Sequence, residues 1–324
     1  MPLITDKPPK NVSRELAELR IALDKTIPPK VKASNLLIAT WNLRSFGSLT
    51  RKWTASSSDS PKRDLRGLRT IIEIMSRFDV IALQEVVGDL RALRHMMHFL
   101  GDSWSFLMTD ITAGAKGNNE RMAFVFDRSR VQPSGLAAEI VIPPEWRKEL
   151  ADDTLDRQFA RTPYAVSFRA CDQTFILVTL HVEFGHSSTE RVREYKDIAR
   201  WLREWADQSN RWHQSLLALG DFNIDRRGDE LWQAFTATGL TVPSDLHKVP
   251  RTVFSNTDRP DLDKFYDQIA WFETGSRRRR ISLDYAQGGG FDFLPNVYQN
   301  TNLRRTSLTW RISHHYPLWV EFRL

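Results

Sequence analysis

Residues 215–223 read SLLALGDFN. An unbroken apolar run passes through a glycine into an aspartate and an asparagine. A run this short, bounded by turn formers, reads as a buried strand that ends in a polar loop. Three other stretches have the same shape. NLLIATW (35–41) leads into Asn42, DVIALQ (79–84) into Glu85, and TFILVTL (174–180) into His181. Strands with apolar residues on both faces belong to a sheet that is covered on both sides.

The segments between these strands supply the cover. Leu65, Leu68, Ile71, Ile72 and Met75 recur at helical spacing, as do the apolar residues of DLRALRHMMHFL (89–100). STERVREYKDIARWLREWADQ (188–208) predicts a long amphipathic helix, opened by a capping box between Ser187 and Glu190. DELWQAFTATG (229–239) predicts another, ended by Gly239. Further strands are expected at WSFLMT, RMAFVFD, PYAVSFRA, FYDQIAWFE, RRRRISLDY and YPLWVEFRL. Strand–helix alternation of this kind predicts an α/β fold. Val12, Leu16, Leu19 and Leu23 mark an additional helix that Pro28-Pro29 ends. The chain therefore divides into an N-terminal helical extension, 1–34, and one large domain, 35–324.

Composition narrows the classes. No run approaches the ~18 apolar residues of a membrane span, and the first residues, MPLITDKPPK, have no apolar core of a signal peptide. Cys171 is the only cysteine, so no intramolecular disulfide can form, which fits a reducing compartment and a cytoplasmic location. Lys plus Arg outnumber Asp plus Glu by 46 to 40. That mild excess suits a polyanionic partner without demanding one.

The polar residues at strand ends carry the chemistry. Asn42, Glu85, His181, Asp221 and Asn223 follow buried strands, Asp267 opens one, and His314 and His315 precede the last. Carboxylates and an amide oxygen are hard ligands, suited to Mg²⁺ or Mn²⁺ rather than Zn²⁺. Such a set, with histidines, fits attack of water on a phosphate ester. There is no GxxxxGK[ST] phosphate loop and no GxSxG nucleophile elbow.

These motifs, in this order, resemble the endonuclease/exonuclease/phosphatase superfamily, and within it the deoxyribonuclease I branch. The residues that carry the likeness are Trp41-Asn42-Leu43, Gln84-Glu85, Gly220-Asp221-Phe222-Asn223 and Ser313-His314-His315-Tyr316-Pro317. TWNLRSFG, NERMAFVFDR, FARTPYAVSF, LVTLHVE, GFDFLPNVY and SHHYPLWVEF extend it across 35–324.

The resemblance implies a four-layer α/β sandwich, two packed mixed sheets flanked by helices. It implies a metal-dependent phosphodiesterase, most simply a DNA endonuclease, with nucleic acid as partner (DNA first, RNA second). Glu85 would be the principal metal ligand beside Asn42, for Mg²⁺ or Mn²⁺. Asp221 would orient or deprotonate water, and Asn223 would help hold the phosphate. His315 would be oriented by Asp267, and His181 by Glu120. Arg161 would contact substrate phosphate. Arg44, Arg51 and Trp53, in the first strand-end loop, are candidates for the same task, with Lys62, Arg63 and the run Arg277–Arg280 as further basic material.

The sequence also departs from that pattern. His314 stands where the family has aspartate close to the metal, so it is a candidate ligand of softer character. Val87 replaces an arginine used on DNA, and Asn118-Asn119 replace a groove-stacking aromatic. Two other readings therefore stand beside the first: a phospholipid or small-phosphoester hydrolase, and a weakened member that binds nucleic acid without turnover.

Overall fold

Alternation along the first strand sets the layers. In the computed structural model, β1 (Asn35–Phe46) sends Leu36 and Ile38 into one apolar cluster and Leu37, Ala39 and Trp41 into another. Successive side chains of a strand point to opposite faces, so β1 has a core on each side. The structure describes residues 7–112, 119–141, 161–182, 188–209, 215–255, 263–273 and 281–324. The expected capping residue Ser187, Asn118 and the run Arg277–Arg280 lie outside them.

Two mixed six-stranded sheets result. One has the order β11-β12-β1-β2-β4-β3, built from β2 (Val80–Val87), β3 (Trp104–Met108), β4 (Glu120–Asp127), β11 (Asp284–Gly290) and β12 (Leu318–Arg323) with β1. The other has the order β5-β6-β7-β8-β10-β9. It comprises β5 (Gln132–Glu139), β6 (Tyr164–Ala170), β7 (Gln173–His181), β8 (Ser215–Asp221), β9 (Leu240–Thr241) and β10 (Asp267–Phe272). The pairs β1/β2 and β7/β8 are parallel and the rest antiparallel.

The sheets pack face to face over Ile38, Phe124, Phe126, Phe168, Leu177 and Trp271. Phe168 meets Phe124 and Phe126 edge-on, with ring centroids 5.7 and 5.3 Å away. Helices cover the outer faces. α1 (Lys10–Thr26), α2 (Leu65–Met75) and α3 (Arg91–Leu100) lie on the first sheet. α4 (Ser188–Ser209) lies on the second, presenting Val192, Tyr195, Ile198, Leu202 and Ala206 as one helical stripe. α5 (Glu230–Thr236) packs beside it, capped by the Asp229 carboxylate, which accepts from the Trp232 N–H. This is the expected four-layer sandwich.

The N-terminal helix is tied to the domain. Val12, Leu16, Leu19 and Leu23 are buried in the same cluster as β1 and α2. Glu15 forms a buried ion pair with Arg66 of α2, and Arg20 pairs with Glu73. No described helix is long and apolar enough to cross a membrane.

Two strands differ from expectation. β5, QPSGLAAE, carries Pro133 and Gly135 and is almost wholly exposed, so it offers no apolar alternation; an edge strand tolerates this. The last-but-one strand begins at Asp284, later than RRRRISLDY suggests, and ends in three glycines. A Cβ on Gly289 would meet Trp319 Cζ2 at 2.9 Å, so this strand can lie against the tryptophan only as glycine.

Candidate active site

Period two carries polar residues to one end of the inter-sheet space. In β1, Thr40 and Asn42 continue the face of Ile38. Thr40 exchanges hydrogen bonds with Gln84 of β2, and Gln84 Nε2 donates across the sandwich to Thr179 Oγ1 of β7 at 2.9 Å. That polar crosspiece forms the floor of the site. One step further along, Asn42, His181 and Asp221 stand above it. β7 and β8 run in parallel register with His181 opposite Asp221. Gly220 permits this: a Cβ there would lie 2.0 Å from the Leu180 carbonyl oxygen.

Glu85 breaks the alternation. Strict period two would send it outward with Ile81 and Leu83. Instead β2 is bulged between Leu83 and Val86, and Glu85 has a left-handed backbone (φ 60°). A bulge re-aims the side chain it carries. The Glu85 carboxylate accepts from Asn42 Nδ2 at 2.8 Å and from the Ser45 N–H at 2.8 Å. Arg44, Ser45 and Asn223 are also left-handed. Such strain in non-glycine residues collects where surrounding contacts over-determine it.

Arg63 supplies one of those contacts. It is buried, and it donates to the carbonyls of Leu43, Arg44, Ser45 and Ile312 at 2.6–3.0 Å. Burial pushes its guanidinium down to about 10. Arg63 is thus a brace that ties the end of β1 to the loop before His314, not a surface cation reaching for phosphate. The sequence offers no signal that separates it from its neighbour Lys62.

Asp221 is the hub. Its Oδ2 accepts from Asn42 Nδ2 at 3.0 Å and lies 3.7 Å from both His181 Nε2 and His315 Nε2. Its Oδ1 accepts from the Asn223 N–H at 3.0 Å. Burial alone would raise this carboxyl, but the His315 and His181 rings, the Asn223 N–H and the Asn42 amide outweigh it and hold it below its ordinary value.

Each imidazole has a carboxylate behind it. His315 Nδ1 donates to Asp267 Oδ2 at 2.6 Å. Burial opposes charge on this ring, but Asp267 and Asp221 overcome it and push it up to about 9. Burial raises Asp267 itself, against the pull of His315. His181 Nδ1 lies 2.9 Å from Glu120 Oε2, and the same carboxylate takes Arg161 Nε at 2.8 Å. Asn223 Nδ2 donates to the Val182 carbonyl at 2.7 Å, which holds the loop after β8 against β7.

Ser313 Oγ donates to the Asn42 carbonyl at 2.5 Å and accepts from the His315 N–H at 2.9 Å, locking the histidine loop onto β1. His314 packs edge-on against His315, with centroids 4.2 Å apart. Its Nδ1 has no hydrogen-bond partner among the described residues. Burial, then His315 and Arg44, push it down to about 3, so the ring is neutral.

Two groups of atoms could hold a divalent cation. Asp221, Asp267 and His315 offer ligand atoms within 4.8 Å of one another. His315, however, stands between the two carboxylates as a cation at neutral pH, and a protonated imidazole does not ligate. The Glu85 carboxylate is partly exposed and faces the Asn42 Nδ2, while the Asn42 Oδ1 accepts from the Arg44 N–H at 2.9 Å, so Asn42 offers its oxygen to a metal only when its amide turns. The Glu85 oxygens suit Mg²⁺ or Mn²⁺, and His314 lies within electrostatic reach of Asp221 and Arg44.

The remaining candidates are spread more widely. The Arg44 guanidinium lies 3.6 Å over the Trp310 ring and donates to Thr309 Oγ1. Arg51 is exposed and lies near α3, where burial first and then the Arg51 charge lower His95. Trp53 packs partly buried against the helix-side core.

Residues 39–316 match the Endonuclease/Exonuclease/phosphatase family. A deoxyribonuclease from Thioalkalivibrio sp. is 27% identical over 305 residues, covering 91% of this chain and 73% of the relative. Deoxyribonuclease-1-like 1 of Sus scrofa is 26% identical over 267 residues, covering 78% and 73%. Among solved structures, a functionally unknown conserved protein from Enterococcus faecalis superposes with a TM-score of 0.58 at 16% identity, over 89% of this chain and 99% of the other. The chain belongs to the Endonuclease/Exonuclease/phosphatase family, whose members are hydrolases acting on phosphoester bonds.

Proposed function

We propose that this protein is a metal-dependent phosphodiesterase that hydrolyses nucleic acid, with DNA as the first substrate. The supporting observation is the Asp221 carboxylate, ionised although buried, 3.7 Å from each of two imidazoles. A carboxylate in that position takes a proton from water without itself being neutralised at rest. The deoxyribonuclease relatives support the choice of substrate.

Each residue has a part. Asp221 orients and deprotonates the attacking water. Protonated His315, fixed by Asp267, donates to a phosphoryl oxygen, and His181, backed by Glu120, does so from the other side. Asn223 holds the loop that presents Asp221. Glu85 would hold Mg²⁺ or Mn²⁺, joined by Asn42 once its amide turns its oxygen inward, with His314 as a further candidate ligand. When bound, the metal neutralises charge on the phosphoryl oxygens. Arg161, shared with Glu120, and Arg44 add positive charge along the phosphate's approach.

The test is incubation with plasmid, single-stranded DNA, RNA and small phosphoesters, in Mg²⁺ or in EDTA. Metal-dependent cleavage of nucleic acid, lost in Asp221→Asn, is expected. Release of phosphate or headgroup from small phosphoesters with nucleic acid intact would overturn the nucleic-acid assignment. No turnover of any substrate would overturn the phosphodiesterase reading itself.

A further inference from the structure

Trp310 is 50% exposed, although it stands in one of the most firmly held segments of the chain. Leu308 and Thr309 before it are buried, and so are Arg311, Ile312 and Ser313 after it. Arg311 donates to the Ala55 carbonyl at 3.1 Å and the Ser307 carbonyl at 3.0 Å. Arg63 holds the Ile312 carbonyl, and Ser313 holds the Asn42 carbonyl. The tryptophan is therefore presented to solvent by a pinned backbone, with no freedom to fold its ring inward. Arg44, itself fixed to Thr309, lies 3.6 Å over the ring and sets its orientation.

A second aromatic borders the same place. The Val253 N–H donates to the His314 carbonyl at 2.9 Å, and Thr252 bridges to His315. Phe254, the next residue, is 52% exposed. Trp310 and Phe254 thus flank the His314–His315 segment, one on the Arg44 side and one beyond Val253. Single exposed apolar residues are ordinary, but an exposed indole on a pinned backbone with a guanidinium over one face presents a fixed π-face beside a cation. The adjoining cation is Arg44, whose guanidinium lies over the Trp310 ring.

We infer that Trp310, with Arg44 against it, is a stacking platform for an unpaired nucleobase next to the scissile phosphate, and that Phe254 takes a second base. This rests on the reading of the site as a nucleic-acid phosphodiesterase and narrows its substrate to single-stranded or locally unpaired segments. An aromatic face paired with cations is the general means of holding single strands, because every base has a π-face. Bases within an intact duplex are stacked on each other and cannot use it.

The experiment measures binding of a fluorescent twelve-nucleotide deoxythymidine strand by anisotropy in EDTA, where turnover is absent. The probes are that strand, its duplex with deoxyadenosine, and an abasic strand of equal length. Trp310→Ala should weaken binding of the single strand about tenfold or more. Trp310→Phe should retain most of it, and Phe254→Ala should give a smaller loss. The abasic strand should bind weakly and equally to the wild type and Trp310→Ala. Equal binding of the single strand by the wild type and Trp310→Ala overturns the inference, as does abasic binding as tight as that of the base-bearing strand, or no binding of any strand. Metal-dependent cleavage that persists undiminished in Trp310→Ala would remove the platform and leave the phosphodiesterase reading intact. Trp310-dependent binding with no cleavage under any metal would do the reverse.

Discussion

Asp267 Oδ2 and His315 Nδ1 meet at 2.6 Å in a place closed to solvent, 48 residues apart in the chain. The pair has a consequence for stability. The His315 ring is raised to about 9 in the folded protein, against about 6.5 in an exposed histidine. Its share of stability is therefore fully present below pH ~6.5 and is lost as the pH rises through about 9, on the order of 3 kcal/mol over the window. Urea unfolding of metal-free protein between pH 6 and 9.5 should show that loss. Asp267→Asn removes the largest raising influence and should flatten the curve in the same window. A wild-type curve as flat as the variant's would contradict a charged His315.

Asp221→Asn keeps the shape of the side chain and removes the proton acceptor. We expect kcat to fall about 10³-fold with KM within a few-fold of wild type. Steady-state kinetics on a labelled strand would measure both, with circular dichroism to check the fold. A fall of less than tenfold would mean that another group accepts the proton.

Glu120 serves two buried partners at once, the Arg161 guanidinium at 2.8 Å and the His181 imidazole at 2.9 Å. Glu120→Ala leaves both facing a cavity, so unfolding free energy should drop by about 3 kcal/mol, and turnover should fall with the loss of His181's orientation. Glu120→Gln should recover part of the stability, because an amide oxygen still accepts. Urea midpoints of the three proteins decide it. Equal midpoints would mean that the triad is not coupled.

Arg63 holds four carbonyls with one planar fork. Arg63→Lys puts a point charge with three donors in its place and cannot reach them all. The expected cost is about 2–3 kcal/mol of stability, together with reduced turnover, since Glu85 depends on the Ser45 N–H that Arg63 helps to place. Chemical denaturation and activity measured on the same preparations would show whether the two losses move together.

His314→Asp introduces a carboxylate next to His315, within electrostatic reach of Asp221 and Arg44. Mg²⁺ favours oxygen donors over a neutral imidazole. Isothermal titration should therefore show Mg²⁺ binding strengthened by about tenfold or more in the variant, at the order of magnitude of one added charged ligand. Unchanged Mg²⁺ affinity would place His314 outside the metal's reach.

Much of this site is readable in the sequence because its residues follow apolar runs. SLLALG ends at Asp221 and TFILVTL at His181, and burial at a strand's end is a local property. Glu85 is different. Alternation alone would turn it away from Asn42, and only the bulge and the left-handed backbone bring it round. Trp53 and Trp310 reverse their apparent importance for a similar reason. Trp53 stands in a polar, basic loop yet packs on the helix-side core, whereas Trp310 stands between buried Thr309 and Arg311 yet faces solvent. Arg63 and Lys62 are adjacent and chemically alike, and only the carbonyls converging from β1 and Ile312 make one of them internal.

The sequence by itself determined the layered α/β plan, the order of the strand-end motifs and the family, because period-two and helical patterns and short motifs depend on neighbouring residues. The tertiary structure alone decided which residues are charged, which are braces and which are exposed. Those properties arise from segments far apart in the chain: Asp267 behind His315, Asn42 between Glu85 and Asp221, and Arg44 over Trp310. Burial and electrostatic fields are set by what packs around a group, and no local pattern encodes them.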